Sequence, residues 1–288
     1  MKYKCRFYLF NIFLFLFVSN ANAFIKMSYV EVNSNNLSNI GCYVRSDNGK
    51  PYIDFTSIFA ANINGSDINS PEIYFNPQVS HLLNNDYDQI SNLQKKGVKV
   101  LITLLGNHQD AGWACLTQDA AKQKFAKEIV NMVNKYKLDG VDIDDEYSTC
   151  FSNRTSISDL AHYIKNDPNF NGKILTKALF NDDFDFSRSK LAKYLDYGWE
   201  MTYSSSNFAS RLNRYLKYGM NKEHLFLGGN ANQSSSFSSS ISNYVKTNDF
   251  GGAMIYNITT YSWNFLNDMA RAEYDNKLDI QVLPNCLK

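Results

Sequence analysis

The sequence predicts an α/β fold: a (β/α)8 barrel in a single domain, with irregular or shortened helices allowed. Three observations predict it. Short apolar and β-branched runs recur between segments of helical periodicity and turn residues, the grammar of a closed parallel barrel. The chain has 288 residues, enough for a barrel of roughly 250 after an N-terminal leader is set aside. The fourth run carries carboxylates on alternate positions, with the last at its C-terminal end, where such barrels place their active sites.

Taken in order, the first element is a targeting segment. Lys2, Lys4 and Arg6 form a basic start, an apolar run follows from Phe7 almost to Asn20, and Ala21-Asn22-Ala23 is a small-x-small cleavage signal. This predicts a signal peptide over residues 1–23, cleaved near Ala23, and a secreted protein. The apolar run falls short of the roughly 20 residues of a spanning helix. Strands are expected at Ser28–Asn33, Phe55–Asn64, Lys99–Asn107, Gly140–Glu146, Lys173–Phe180, Tyr197–Ser204, His224–Asn230 and Gly251–Asn257. The central runs are apolar enough to be covered on both faces, as parallel strands are. A helix from about Gln118 to Tyr136 aligns Phe125, Ile129 and Val133 on one face, with Thr117 as its N-cap. Another should span about Asn84–Lys96, with Gly97 at its C′ position. Gly65–Pro71 and Asn230–Ser240 read as loops, and neither is long or charged enough to divide residues 24–288 into two domains.

Composition narrows the partners. The formal net charge is +1, which gives no reason to expect nucleic acid or an acidic membrane. Cys5 lies in the leader, so Cys42, Cys115, Cys150 and Cys286 remain. An even number in an exported chain suggests disulfides, with three pairings possible, and there is no CxxC or Cys/His spacing for zinc.

The chemistry is concentrated in Leu138-Asp139-Gly140-Val141-Asp142-Ile143-Asp144-Asp145-Glu146-Tyr147. Alternate residues of a strand share a face, so Asp142, Asp144 and Glu146 look into the barrel while Val141 and Ile143 look toward the helices. Successive carboxyls attach only roughly 7 Å apart. In a poorly solvated interior they cannot all ionise cheaply, and at least one should hold a proton near neutral pH. Such a proton is what glycosidic cleavage must deliver to the leaving oxygen, and Glu146, the outermost acid, is assigned to deliver it. A calcium loop would place glycine after its acids, whereas Gly140 precedes them. A salt-bridge cluster would want Lys or Arg among the acids, and none lies between Leu138 and Tyr147.

The run DGVDIDDE resembles the DGxDxDxE signature of glycoside hydrolase family 18, and within it the endo-β-N-acetylglucosaminidase H subgroup. SYVEVN, IFAANIN, VKVLITLLGNHQDAGWA, YKLDGVDIDDEY and GGAMIYNIT carry the likeness over most of residues 24–288. The resemblance implies substrate-assisted, retaining hydrolysis, an exception among two-carboxylate glycosidases. The sugar's own N-acetyl group would be the nucleophile, Glu146 the acid and then base, and Asp144 the holder of the acetamido N–H. Asp142 would share a proton with Asp144. No metal or organic cofactor is implied. In Met201-Thr202-Tyr203-Ser204 the family's MxYD keeps its Tyr, so Tyr203 would orient the acetamido oxygen, while Ser204 departs from the family's Asp. Tyr256 stands where many chitinases have Trp. Both departures point from chitin toward the diacetylchitobiose core of high-mannose or hybrid N-glycans. A chitinase acting on chitin oligomers and a non-catalytic lectin of the same fold are the alternatives, and the lectin is disfavoured by the intact acids.

Around the rim, Asn107 and His108 are candidates to bind sugar hydroxyls or buttress the acids. Trp113 could stack on a sugar or pack its loop down, Trp199 is expected in the core, and Trp263 has no assigned place. Cys115 and Cys150 follow neighbouring strands, so their loops lie side by side and a Cys115–Cys150 bond is expected, leaving Cys42 with Cys286. The partner is an N-glycan or glycoprotein, with no nucleic acid and no membrane, and a monomer is the default state.

Overall fold

The computed structural model describes residues 24–187 and 189–288, so the expected signal peptide lies outside the described residues. Eight parallel strands close on themselves: β1 (Ile25–Glu31), β2 (Phe55–Asn64), β3 (Lys99–Gly106), β4 (Gly140–Asp144), β5 (Ile174–Leu179), β6 (Tyr197–Glu200), β7 (Leu225–Asn230) and β8 (Gly252–Tyr256). Each pairs with the next in sequence, and β1 pairs with both β2 and β8, which closes the ring. Residues Glu72–Tyr74 turn back antiparallel on the end of β2.

The helical layer comprises α1 (Pro77–Asn84), α2 (Asp88–Lys95), α3 (Asp119–Lys135), α4 (Ser156–Asn166), α5 (Phe208–Leu216), α6 (Ser235–Thr247) and α7 (Trp263–Glu273). It is irregular. Between β1 and β2 lie only a 3-10 segment, Leu37–Cys42, and a short strand, Tyr43–Arg45, paired with Ile280–Val282. Between β5 and β6 there are two single turns, Asp183–Phe186 and Leu191–Tyr194.

Several expected bounds shift. The helix expected over Asn84–Lys96 is α2, which begins later, at Asp88, and a separate helix, α1, precedes it, with Asn76 capping α1 through Val79 N at 2.9 Å. The serine-rich Asn230–Ser240 segment is a loop only to Ser234, after which α6 begins. Its buried Ser242 donates to the Met269 carbonyl at 2.9 Å, so packing against α7 outweighs the weak helix propensity of serine. β1 starts at Ile25, earlier than expected, and β4 ends at Asp144 instead of Glu146.

Two separate apolar clusters follow from strand alternation. The larger lies between strands and helices and includes Val141 and Ile143, both fully buried. The smaller fills the barrel itself with Met27, Tyr29, Leu101, Trp199, Phe226 and Met254. It is this inner plug, half of it aromatic, that Asp142 and Asp144 sit upon.

Candidate active site

Asp139, the first acid of the motif, lies at the far end of the barrel, where its carboxylate accepts from Val100 N and Gln94 Nε2, each at 2.9 Å. The remaining acids climb β4 toward the open rim. Asp142 is fully buried and accepts four hydrogen bonds: from Tyr29 Oη at 2.9 Å, Thr103 Oγ1 at 3.0 Å, Trp199 Nε1 at 3.0 Å, and Thr176 Oγ1. Burial pushes its carboxyl up to about 6, against the opposing pull of those donors.

Asp144 is 3 % exposed, and its Oδ1 has no hydrogen-bond partner among the described residues. Burial first, then the neighbouring Glu146 and Asp142, hold its carboxyl well above the usual range. An acceptor this deep is costly to leave unpaired. Oδ1 is therefore an acceptor waiting for a donor, at the mouth of a water-poor barrel.

Glu146 is half-buried and lies just past the end of β4, so its placement depends on a turn rather than on the sheet. Gly106 N donates to the Glu146 carbonyl at 3.0 Å, and His108 N to the Tyr147 carbonyl at 2.6 Å. A Cβ on Gly106 would stand 2.3 Å from that Glu146 oxygen, so this approach of β3 to the turn requires glycine. Burial raises the Glu146 carboxyl, Lys177 opposes, and Asp182 and Asp145 add to the rise.

Aromatic rings wall the acids. Tyr203 stacks on Tyr256 with centroids 5.8 Å apart, and Tyr256 meets Phe59 edge-on at 5.7 Å. Burial and then the charge of Asp144 push the Tyr203 phenol well up, so it stays a neutral donor facing that carboxyl. Tyr203 lies beyond the end of β6, in a turn fixed from three sides. Gln233 Nε2 donates to its carbonyl at 2.6 Å, Thr202 N donates to Glu200 Oε1 at 2.8 Å, and the buried Arg211 spans Glu200 Oε2 and the Ser205 carbonyl.

The rim candidates divide. Asn107 Nδ2 donates to Asn64 Oδ1 at 2.7 Å, bracing the ends of β3 and β2. His108 is exposed, with its ring 5.2 Å from that of Tyr147. Trp113 does not face the mouth: it is fully buried, donates from Nε1 to the Leu104 carbonyl at 2.8 Å, and packs on Phe125 of α3. The expected stacking on a sugar is corrected, because the loop folds its indole outward under the helical layer. Trp263 donates to the Ile280 carbonyl at 2.7 Å and ties α7 to the small sheet. Both expected disulfides are present, Cys115–Cys150 beside the acids and Cys42–Cys286 on the far chain ends. A cavity of about 520 Å³ beside the rim, between Val32 and Gln89, contains none of the acids.

The site thus sets a half-buried acid just beyond a buried carboxyl with one oxygen unpartnered among the described residues, beside two stacked tyrosines. The model for Glycosyl hydrolases family 18 matches residues 22–235. The chain belongs to glycosyl hydrolase family 18. It is accordingly a glycoside hydrolase. An endo-beta-N-acetylglucosaminidase of Flavobacterium sp. (strain SK1022) is 35% identical over 81% of this chain and 74% of its own length. Endo-beta-N-acetylglucosaminidase F1 of Elizabethkingia meningoseptica is 43% identical over 42% of this chain and 36% of its own. Among solved structures, Bacteroides thetaiotamicron EndoBT-3987 in complex with Man9GlcNAc2Asn substrate superposes with TM-score 0.69 and 21% identity, covering 90% of this chain and 67% of that one. At that identity the likeness shows the barrel fold alone.

The four groups that hold Asp142 were not singled out from sequence. Strand alternation places Tyr29, Thr103, Thr176 and Trp199 on inner faces, but which of them meet across the barrel depends on register. Lys177 was missed for the same reason: it is distant in sequence from the acids and pairs in register with Ile143.

Proposed function

We propose that this family 18 enzyme is an endo-β-N-acetylglucosaminidase that cuts the β1-4 bond between the two core N-acetylglucosamines of N-linked glycans, high-mannose or hybrid. The observation that carries the reading is Asp144 Oδ1, a buried oxygen with no partner among the described residues, near the Tyr203 phenol and a glutamic acid whose carboxyl burial pushes up. An acetamido group supplies what this arrangement lacks. Its N–H satisfies Asp144, and its carbonyl oxygen accepts from Tyr203. The names of the curated relatives, and the glycan bound in EndoBT-3987, agree with that substrate class.

The chemistry follows in two balanced steps. The acetamido oxygen bonds to the anomeric carbon as the bond to the leaving oxygen breaks, and the Glu146 proton goes to that oxygen. The positive charge of the resulting oxazolinium ring is met by Asp144, whose own proton state is set by Asp142 behind it. Water then adds to the anomeric carbon, its proton returns to Glu146, and the ring opens with retained configuration. Tyr256 forms an apolar floor for the reacting sugar. The mature enzyme begins at Phe24 after export, which N-terminal sequencing of secreted protein checks.

Ribonuclease B and a chitin oligomer, incubated separately with the enzyme, test the substrate. The expected result is loss of the glycan with a single N-acetylglucosamine left on ribonuclease B. Cleavage of the chitin oligomer alone overturns the reading in favour of a chitinase.

A further inference from the structure

On the outer face of the same strand pair lies a second charged cluster that the mechanism above does not use. Lys177 of β5 is 1 % exposed, yet it carries an ammonium under the helical layer. Its neighbour Thr176 points inward to Asp142, so alternation turns Lys177 outward, level with Ile143 of β4. The next outward residue along the motif is Asp145, directly between Asp144 and Glu146. Lys177 Nζ donates to Asp182 Oδ1 at 3.1 Å and to the Ala178 carbonyl at 3.0 Å. Asp145 and Asp185 act on the same ammonium through their charge, beyond ion-pair distance. Asp182 Oδ2 accepts from Phe180 N at 2.7 Å, and Asp145 Oδ1 from Ala114 N at 3.2 Å. One buried cation, ion-paired to Asp182 in the loop after β5, thus lies behind the turn carrying Glu146, whose Asp145 is bonded in turn to the loop after β3.

We propose that Lys177 is a positioning residue for the acid Glu146, holding its turn through Asp145 and supplying the positive charge behind it. The proposal rests on Glu146 being the acid, as assigned above. Burying an ammonium is expensive unless it is paired, and a well-packed apolar residue would often serve stability as well. At this position the cation adds what an apolar residue lacks: a fixed charge within reach of a half-buried carboxyl whose strand has already ended. The charged and titratable groups around Glu146 are Asp144 and Asp145 on its own segment, Lys177 and Asp182 from the β5 side, and Tyr203 and Tyr256 from β6 and β8. Lys177 is the cation among them. It favours the ionised form of Glu146, against burial and the flanking acids.

The experiment is a pH profile of kcat on ribonuclease B for Lys177→Met and Lys177→Arg, each normalised to folded protein by circular dichroism. Lys177→Met should lower kcat about tenfold or more, as loosened placement of a reacting group does, with KM little changed. Its alkaline limb should move to higher pH, because Glu146 holds its proton longer without the cation. Lys177→Arg should restore part of kcat and return the limb toward that of the wild type. Asp145→Asn keeps an oxygen for Ala114 N but removes an acid beside Glu146, so its limb should move the opposite way, and this variant decides the matter if Lys177→Met does not fold. A folded Lys177→Met with unchanged kcat and limb shows a merely structural lysine and overturns the proposal, as does an Asp145→Asn limb that stays in place. Glu146→Gln in the same assay separates the two levels: full activity there sinks the assignment of the acid, whatever Lys177 does.

Discussion

Along one five-residue strand and the residue that follows it, the protein treats its acids in two opposite ways. Inside the barrel, Asp142 is met by a phenol, two hydroxyls and an indole, all neutral, and Asp144 keeps one oxygen without a partner among the described residues. Outside, Asp145 shares its surroundings with a buried ammonium and two further acids. A cation inside would lock the inner carboxyls in their charged form. Neutral donors hold Asp142 in place while leaving its proton exchangeable near pH 6. Placing the cation behind the strand instead keeps the electrostatics of the mouth adjustable and the backbone of the turn fixed. The difference teaches that position relative to the sheet, more than residue type, decides which carboxyl is reactive.

The largest effect expected is on the inside. Glu146→Gln should lower kcat on ribonuclease B by about 10²–10⁴, the usual worth of a positioned acid, with an unchanged melting temperature. Asp144→Asn should follow with a loss of about 10²–10³, since an amide cannot offer the same charge to the intermediate. If it lost no more than Asp145→Asn, the contrast between the faces would be broken.

Smaller effects sharpen the contrast through stability. Trp199→Phe keeps the ring but removes one donor from Asp142, and should cost about 1–3 kcal/mol in urea unfolding. Asp142 also gives the stability a pH dependence with a definite sign. Its carboxyl rises from 3.8 to about 6 on folding, so the folded chain binds its proton more tightly. The associated stability is fully present below pH 3.8 and is lost as pH rises through about 6. Unfolding free energy should therefore fall over that window, and Asp142→Asn should flatten the slope. The smallest effect belongs at Trp113: Trp113→Phe should weaken the fold through the lost bond to Leu104 without altering KM for the glycan, as expected for a ring that does not face the mouth.

The barrel was legible in the sequence because its strands are apolar runs and the order of elements repeats. The acids were legible because alternation is a one-dimensional rule: Asp142 and Asp144 point inward as the spacing requires. What the sequence did not show is where alternation stops. β4 ends at Asp144, so Glu146 and Tyr203 are placed by turns, and the groups fixing those turns, Gly106, Gln233 and Arg211, come from another strand, a loop and a helix. Lys177 reads in sequence as a polar interruption of a β run, and only register brings it behind the acids. The serine-rich α6 was misread because its stability comes from α7 rather than from its own propensities.

In the proposed mechanism, the Asp144 oxygen left without a partner among the described residues holds the substrate's own nucleophile. The most direct test of this role is the rate of cleavage of a glycan-asparagine in which the sugar on the cleavage side carries a hydroxyl in place of the acetamido group. The enzyme should leave that compound uncut while releasing the natural glycan under the same conditions. Cleavage of both at comparable rates would contradict substrate assistance and return Asp144 to the role of an enzyme nucleophile.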